Sequence, residues 1–114
     1  MDRTFVENWL NILRESWLNK DGKRAASLFN KTNFYQETPF LAPFTKYDEI
    51  AEEWKNIDNQ DIKKLEFKIL AIDCNTVIVN WIFQRDVTEF DGIYEIKFNE
   101  NKECIYFKSW EMEK

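Results

Sequence analysis

Apolar residues change their spacing once along this chain, near Ile62, and that change constrains the fold more than any other feature. Before Ile62 they recur every three or four positions, as in amphipathic helices. After it they alternate with polar residues, as in strands that bury one face. Helices followed by a run of consecutive strands predict an α+β fold, because alternating βαβ units would mix the two spacings along the chain.

The N-terminal half predicts three helices around one short strand. An amphipathic helix over residues 3–20 is followed by a short helix that begins at the capping residue Asp21. Residues 33–38 predict a short strand. Thr45 is then expected to cap a third helix, with Asp48 completing an approximate capping box.

The C-terminal half predicts an antiparallel meander. Three alternating segments span residues 65–69, 77–83 and 94–98, and a last strand begins near Ile105. The dipeptide Asp91-Gly92 is typical of a turn and is expected to precede the third of these strands.

The second face of this meander also carries apolar residues, among them Ile78 and Ile82. A half-exposed antiparallel sheet is expected to be polar on its outer face. The remaining apolar positions therefore predict a partner subunit, most simply in a two-fold homodimer that forms through the sheet face.

Length and charge narrow the range of functions. The 114 residues fit one domain, 1–114, and a hydrophobic content of 44% indicates a packed core. The net charge of −5 argues against a nucleic-acid partner, which requires a basic face. No apolar run approaches the roughly 18–20 residues of a membrane span, and no signal sequence opens the chain. We therefore expect a cytoplasmic protein without a membrane partner.

The chain contains no histidine. This absence excludes imidazole acid–base catalysis, the usual zinc sites and nucleophiles activated by histidine. Cys74 and Cys104 lack the CxxC spacing and are predicted to be reduced, half-buried thiols. Any chemistry has to use Asp, Glu, Lys, Tyr, Arg or a cofactor, and we expect neither a metal nor a cofactor.

The segment Tyr35–Phe44 is unusual in its composition. Within ten residues it contains three aromatic rings, one carboxylate and both prolines of the chain. An extended segment so rich in rings and broken by rigid turns is typical of the wall and lip of a small-molecule pocket.

Four motifs occur in the order found in a known superfamily: Tyr35-x-Glu37-Thr38-Pro39-Phe40, Tyr47-x-x-Ile50-x-x-x-Trp54, Asp91-Gly92-Ile93-Tyr94-Glu95-Ile96-Lys97-Phe98 and a terminal Trp110. With them the chain resembles the nuclear transport factor 2-like superfamily, and within it the SnoaL-like, ketosteroid-isomerase-like branch. The resemblance covers nearly the whole chain in element order. It implies a cystatin-like cone, in which a strongly curved, mainly antiparallel sheet wraps three helices around an apolar pocket, usually in a homodimer.

The catalytic positions of the isomerase branch are only partly kept. There an aspartate base precedes the proline of the first strand, but that position holds Thr38 here, and the nearest carboxylate is Glu37. A helix-one tyrosine of the branch falls near Leu13, whereas its second oxyanion donor, a protonated aspartate, falls on Tyr94. The resemblance therefore does not imply the isomerase mechanism intact, and the cyclases' acid–base pairing with histidine is impossible.

Glu37 and Tyr94 are the candidate catalytic residues. Glu37 is either a general base, with a pKa raised by the neighbouring rings, or a solvated carboxylate at a strand end. Tyr94 either donates to a ligand carbonyl or is an ordinary core tyrosine. The acidic runs Asp48-Glu49 and Glu52-Glu53 are interpreted as solvated surface. The residues predicted to bind a ligand are Tyr35, Phe40, Phe44, Trp54, Trp81, Phe83, Arg85 and Trp110.

Three functions are compatible with these observations. The first is a domain that binds a small apolar or aromatic molecule in a cone-shaped pocket. The second is an enzyme that carries out proton transfer or dehydration on a carbonyl compound, with Glu37 as base. The third is a dimeric accessory module whose cavity has collapsed.

Overall fold

The computed structural model describes all 114 residues. Its helices are α1 (Arg3–Leu18), α2 (Gly22–Ser27) and α3 (Tyr47–Trp54), and a 3₁₀ helix, Lys55–Asn59, continues α3. Its strands are β1 (Phe34–Gln36), β2 (Ile62–Asp73), β3 (Thr76–Arg85), β4 (Thr88–Phe98) and β5 (Cys104–Glu113).

The strands form one five-stranded sheet in the order β1-β5-β4-β3-β2. Strands β2 to β5 pair antiparallel with their neighbours in sequence, whereas β1 pairs parallel with β5. The sheet is therefore mixed, mainly antiparallel and not closed. This arrangement confirms the predicted α+β fold of three helices packed on a meander.

The turn predicted at Asp91-Gly92 is wrong, because both residues lie inside β4. The β3–β4 hairpin turns at Asp86-Val87 instead, and Asp86 has a positive φ of 52°, which aspartate tolerates better than most residues. Gly92 is opposite Trp81 on β3, and a Cβ at this position would collide with the Trp81 indole and the carbonyl oxygen of Trp110. Glycine is needed here for close packing rather than for a turn.

The caps of the helices follow the sequence with one correction. The Asp21 carboxylate accepts a hydrogen bond from the Arg24 backbone N–H at 3.1 Å and caps α2 as predicted. At α3 the first residue outside the helix is Lys46 rather than Thr45. The Glu49 carboxylate, not that of Asp48, accepts the two backbone N–H groups of Thr45 and Lys46 at 3.2 Å.

The core lies between the helices and the inner face of the sheet. Its centre is Phe29, just after α2, which has no exposed surface. The Phe29 ring packs edge-on against Trp9, Tyr35 and Phe107, at centroid distances of 5.6, 5.1 and 5.0 Å, and stacks on Trp54. Such contacts tie both layers to one ring.

The outer face of the sheet is not covered by any element of the chain. Ile78, Ile82 and Ile93 are half-buried on it, and Trp110 is exposed. The uncovered face of the sheet therefore carries apolar residues, as the alternation predicts. No helix of the chain has the length and apolar character needed to cross a membrane.

Candidate functional site

A cavity of about 250 Å³ lies between the helical layer and the inner face of the sheet. Eight of its sixteen lining residues are aromatic: Trp17, Tyr35, Trp54, Trp81, Phe83, Phe90, Tyr94 and Phe107. Four are charged: Glu37, Glu53, Arg85 and Glu111. The remaining four are Asn56, Ile57, Gln60 and Ser109.

Glu37 reaches this cavity because it follows β1 directly. Successive side chains of an extended segment point to opposite sides, so Tyr35 and Glu37 share one side. Both line the cavity, and the Tyr35 hydroxyl donates to Glu37 Oε1 at 3.2 Å. Thr38, at the position of the isomerase base, is not among the lining residues.

The environment of Glu37 raises its pKa from 4.5 to about 7. Burial of the carboxyl group is the largest cause, and the charges of Glu53 and Glu111 add to it, whereas the hydrogen bond from Tyr35 opposes it. Glu37 as a whole residue is nevertheless exposed to solvent. The carboxyl group therefore combines access to solvent with a pKa suited to exchanging a proton near neutral pH.

Tyr94 extends from β4 into the same cavity and is only 5% exposed. Its ring stacks on Trp81 at 5.5 Å and packs on Phe107 at 4.6 Å. Its hydroxyl forms no hydrogen bond with another residue, whereas the Tyr35 hydroxyl bonds to Glu37. Burial and the charge of Glu37 raise the Tyr94 pKa well above its usual value, so the hydroxyl stays protonated and can donate a hydrogen bond.

The three tryptophans of the cavity differ in their indole hydrogen bonds. Trp17 donates from Nε1 to Gln60 Oε1 at 2.8 Å. The Nε1 groups of Trp54 and Trp81 are buried without a partner. Buried polar groups are usually hydrogen-bonded, so two partnerless indoles around one cavity are unusual.

The remaining charged groups of the cavity come from three elements. Glu53 is on α3, Arg85 ends β3 and Glu111 is near the end of β5. Burial raises the pKa of Glu111, the nearby Arg85 guanidinium lowers it, and Glu113 raises it further. The Arg85 guanidinium also lies over the Phe90 ring, 5.9 Å from its centroid.

Seven of the ten predicted site residues line this single cavity: Glu37, Tyr94, Tyr35, Trp54, Trp81, Phe83 and Arg85. Phe40, Phe44 and Trp110 lie outside it. Phe40 is 98% exposed, on a loop in which Gln36 Nε2 donates a 2.7 Å hydrogen bond to the Leu41 carbonyl.

The other two rings are excluded for different reasons. Phe44 pairs by its backbone with Tyr35, and its ring stacks alongside the Tyr35 ring rather than in the cavity. Trp110 points to the outer face of the sheet, where the Lys108 ammonium lies 4.7 Å from its ring centroid.

Sequence reasoning missed several cavity residues, of which the two carboxylates matter most. Glu53 was interpreted as part of a solvated acidic run, yet it lines the cavity beside Trp54. Glu111 lies beyond the residues assigned to the last strand. The alternation Phe107, Ser109, Glu111 would have placed it on the inner face, had the strand been extended through the polar C-terminus.

The structure has no group of three or more His, Cys, Asp or Glu side chains positioned to hold a metal ion. The three cavity carboxylates are thus spread around the cavity rather than gathered at one point.

No family model matches the sequence. No curated protein matches it either. Solved structures do match. An epoxide hydrolase/cyclase-like enzyme of pyran ring formation in the polyether salinomycin has a TM-score of 0.77 at 8% identity, over 96% of this chain and 89% of its own.

Two further structures extend this similarity. A steroid delta-isomerase from Pseudomonas aeruginosa has a TM-score of 0.73 at 12% identity, over 98% of this chain and 82% of its own. A protein with a ketosteroid isomerase-like fold from Catenulispora acidiphila, in complex with trimethylamine, has a TM-score of 0.70 at 11% identity. The match covers 90% of this chain and 83% of that protein. SnoaL-like and NTF2-like proteins also match. The fold expected from the sequence motifs is confirmed.

Proposed function

We propose that this chain, which has the cone fold of the SnoaL-like and ketosteroid-isomerase-like proteins, binds a small organic molecule with an aromatic or apolar body in its cavity. The observation that carries the proposal is the meeting of eight aromatic side chains and the partnerless Tyr94 hydroxyl in one open space. An apolar pocket with a few convergent polar groups is the usual form of a small-molecule site.

The size of the cavity supports binding over an accessory role. In a collapsed cone the rings of Trp54, Trp81 and Phe83 would fill the space between the layers, but here they surround about 250 Å³. This volume lies just below the roughly 300–1,000 Å³ of typical ligand pockets, so the ligand is small.

A hydrogen-bond acceptor on the ligand is expected to bond to Tyr94. A library of small aromatic and alicyclic molecules, acetophenone among them, should contain compounds that raise the melting temperature, because a ligand of the native state stabilises it. Tyr94→Phe should weaken acetophenone binding by up to about tenfold, the effect of one lost hydrogen bond. Tyr106→Phe is the matched control, because Tyr106 does not line the cavity. The proposal fails if no compound stabilises the chain.

A second candidate function, proton transfer next to a carbonyl, is favoured by one observation: the pKa of Glu37 is about 7. A base with this pKa is about half ionised at neutral pH, so it can both accept and return a proton there. Glu37 would remove a proton from the carbon next to the carbonyl, and Tyr94 would donate to the resulting enolate oxygen.

Exchange of the methyl hydrogens of acetophenone in D₂O, followed by NMR, tests this candidate without knowledge of the natural substrate. Glu37→Gln should reduce the protein-dependent exchange rate by about 100-fold or more, the usual contribution of a general base. Glu52→Gln removes a carboxylate from α3 that does not line the cavity and should leave the rate unchanged. Equal rates in the two variants would contradict a catalytic role for Glu37.

A further inference from the structure

We propose that the ligand of this cavity is a small organic cation, an ammonium compound whose charged group lies among the aromatic rings and the three carboxylates. The proposal rests on the binding function above and specifies the chemical class of the ligand.

The cavity carries more negative than positive groups. Glu37, Glu53 and Glu111 line it, and Arg85 is the one basic residue among the lining side chains. An anionic ligand would therefore meet three carboxylates and one guanidinium. A cationic ligand would offset the excess negative charge.

None of the three carboxylates forms an ion pair within the protein. The five ion pairs of the structure use other acidic residues, none of which lines the cavity: Glu7, Glu15, Glu52, Asp61 and Glu89. Arg85 lowers the pKa of Glu111 but approaches no carboxylate to within 4.0 Å. Three unpaired carboxylates at an open cavity leave a site for a cation that the chain itself does not supply.

The walls of the cavity suit the same kind of group. The face of an aromatic ring attracts a cation through its negative quadrupole, most strongly for tryptophan and most strongly where water is excluded. Trp17, Trp54 and Trp81 all line the cavity, and the last two are at least 94% buried. A group of aromatic rings is the common recognition pattern for quaternary ammonium groups.

Tyr94 provides an observation independent of the charges. It is almost fully buried, lines the cavity and has a hydroxyl without a partner. An ammonium group cannot accept its hydrogen bond, so the ligand is expected to carry an oxygen acceptor as well as the charge.

Three matched probes separate charge from shape. Choline, 3,3-dimethyl-1-butanol and 3,3-dimethylbutanoate each end in a group with three methyls. Choline is a cation, the alcohol is neutral and the carboxylate is an anion. Affinity is measured by calorimetry or NMR titration with the intact chain. Choline should bind at least about tenfold more tightly than the neutral alcohol. Its affinity should fall as salt is added, because the charges at the mouth are screened.

Variants that each remove one charge show which residues contribute to choline binding. Glu53→Gln and Glu111→Gln should each weaken choline binding by about two- to fivefold, the range for partly exposed charge pairs, without changing the affinity for the neutral alcohol. Arg85→Gln should strengthen choline binding, because it removes the one opposing charge. Glu52→Gln is the matched control, since its side chain pairs with Lys55 outside the cavity.

The inference is overturned if the alcohol or the carboxylate binds as tightly as choline, or if choline does not bind at all. It is also overturned if Glu52→Gln weakens choline binding as much as Glu53→Gln does. These results leave the proposed binding function standing as long as some compound of the neutral library still stabilises the chain. The binding function itself fails if no compound of that library stabilises the chain.

Discussion

Glu37 shows how much of a site a single sequence can reveal at the scale of one residue. Its place next to Tyr35 follows from strand alternation, and the two side chains do share the cavity. The sequence did not predict every cause of its raised pKa. Glu53 and Glu111 are distant in sequence, and only the fold brings their charges close to Glu37. Long-range charge effects of this kind depend on tertiary contacts that no local pattern encodes.

The raised pKa of Glu37 has a consequence for stability. The folded chain holds this proton more tightly than the unfolded chain, whose carboxyl titrates near 4.5. The stabilising contribution of the protonated group is therefore present below about pH 4.5 and is lost as the pH rises to about 7. We expect Glu37→Gln to become more stable relative to the natural chain as the pH rises across this window.

Thermal unfolding of both proteins between pH 4 and pH 8 checks this expectation. Glu52→Gln provides the control for losing a carboxylate from the exposed surface. A difference in melting temperature between Glu37→Gln and the natural chain that does not change with pH would show that the pKa of Glu37 is near its ordinary value.

At the scale of elements, periodicity predicted most strands and helices correctly but misjudged their ends. The turn expected at Asp91-Gly92 lies within β4, because Gly92 accommodates the Trp81 ring. The last strand continues to Glu113, although its final residues are polar. In both cases the cross-strand neighbour decides the conformation, and the local sequence does not contain that information.

The close packing at Gly92 leads to a prediction for β4. Gly92→Ala should destabilise the chain by roughly 1–3 kcal/mol, the typical cost of overpacking, because the new methyl group collides with Trp81 and with the backbone of β5. The fluorescence of the chain should change as well, since Trp81 must shift. Urea unfolding measures the cost, and a stability equal to that of the natural chain would show that the packing is looser than described.

The helical layer depends on Phe29 in a comparable way. Phe29→Ala should cost about 3–5 kcal/mol in the free energy of unfolding, because it leaves a cavity among four aromatic rings. Phe40→Ala is the matched control: the same truncation at a ring that is 98% exposed should change stability by less than about 0.5 kcal/mol. Similar losses in the two variants would contradict the assigned core.

At the scale of the whole molecule, the homodimer remains a prediction. It rests on the apolar residues of the outer face of the sheet, which no element of the chain covers. Sedimentation equilibrium should give a mass twice that of one chain. Ile93→Lys places a charge in the middle of this face and should shift the equilibrium toward monomers, whereas Val87→Lys, at a hairpin tip that is 94% exposed, should not. A mass of one chain for the natural protein would exclude the dimer.

The central claim, that ligands bind inside the cone, is tested most directly by the ¹⁵N indole signals of the five tryptophans. Trp17, Trp54 and Trp81 line the cavity, whereas Trp9 and Trp110 do not. On titration with choline, or with any compound that stabilises the chain, we predict that the first three signals shift together and saturate while the other two stay in place. A shift confined to Trp110, or to Trp9, would place binding outside the cone and contradict the account.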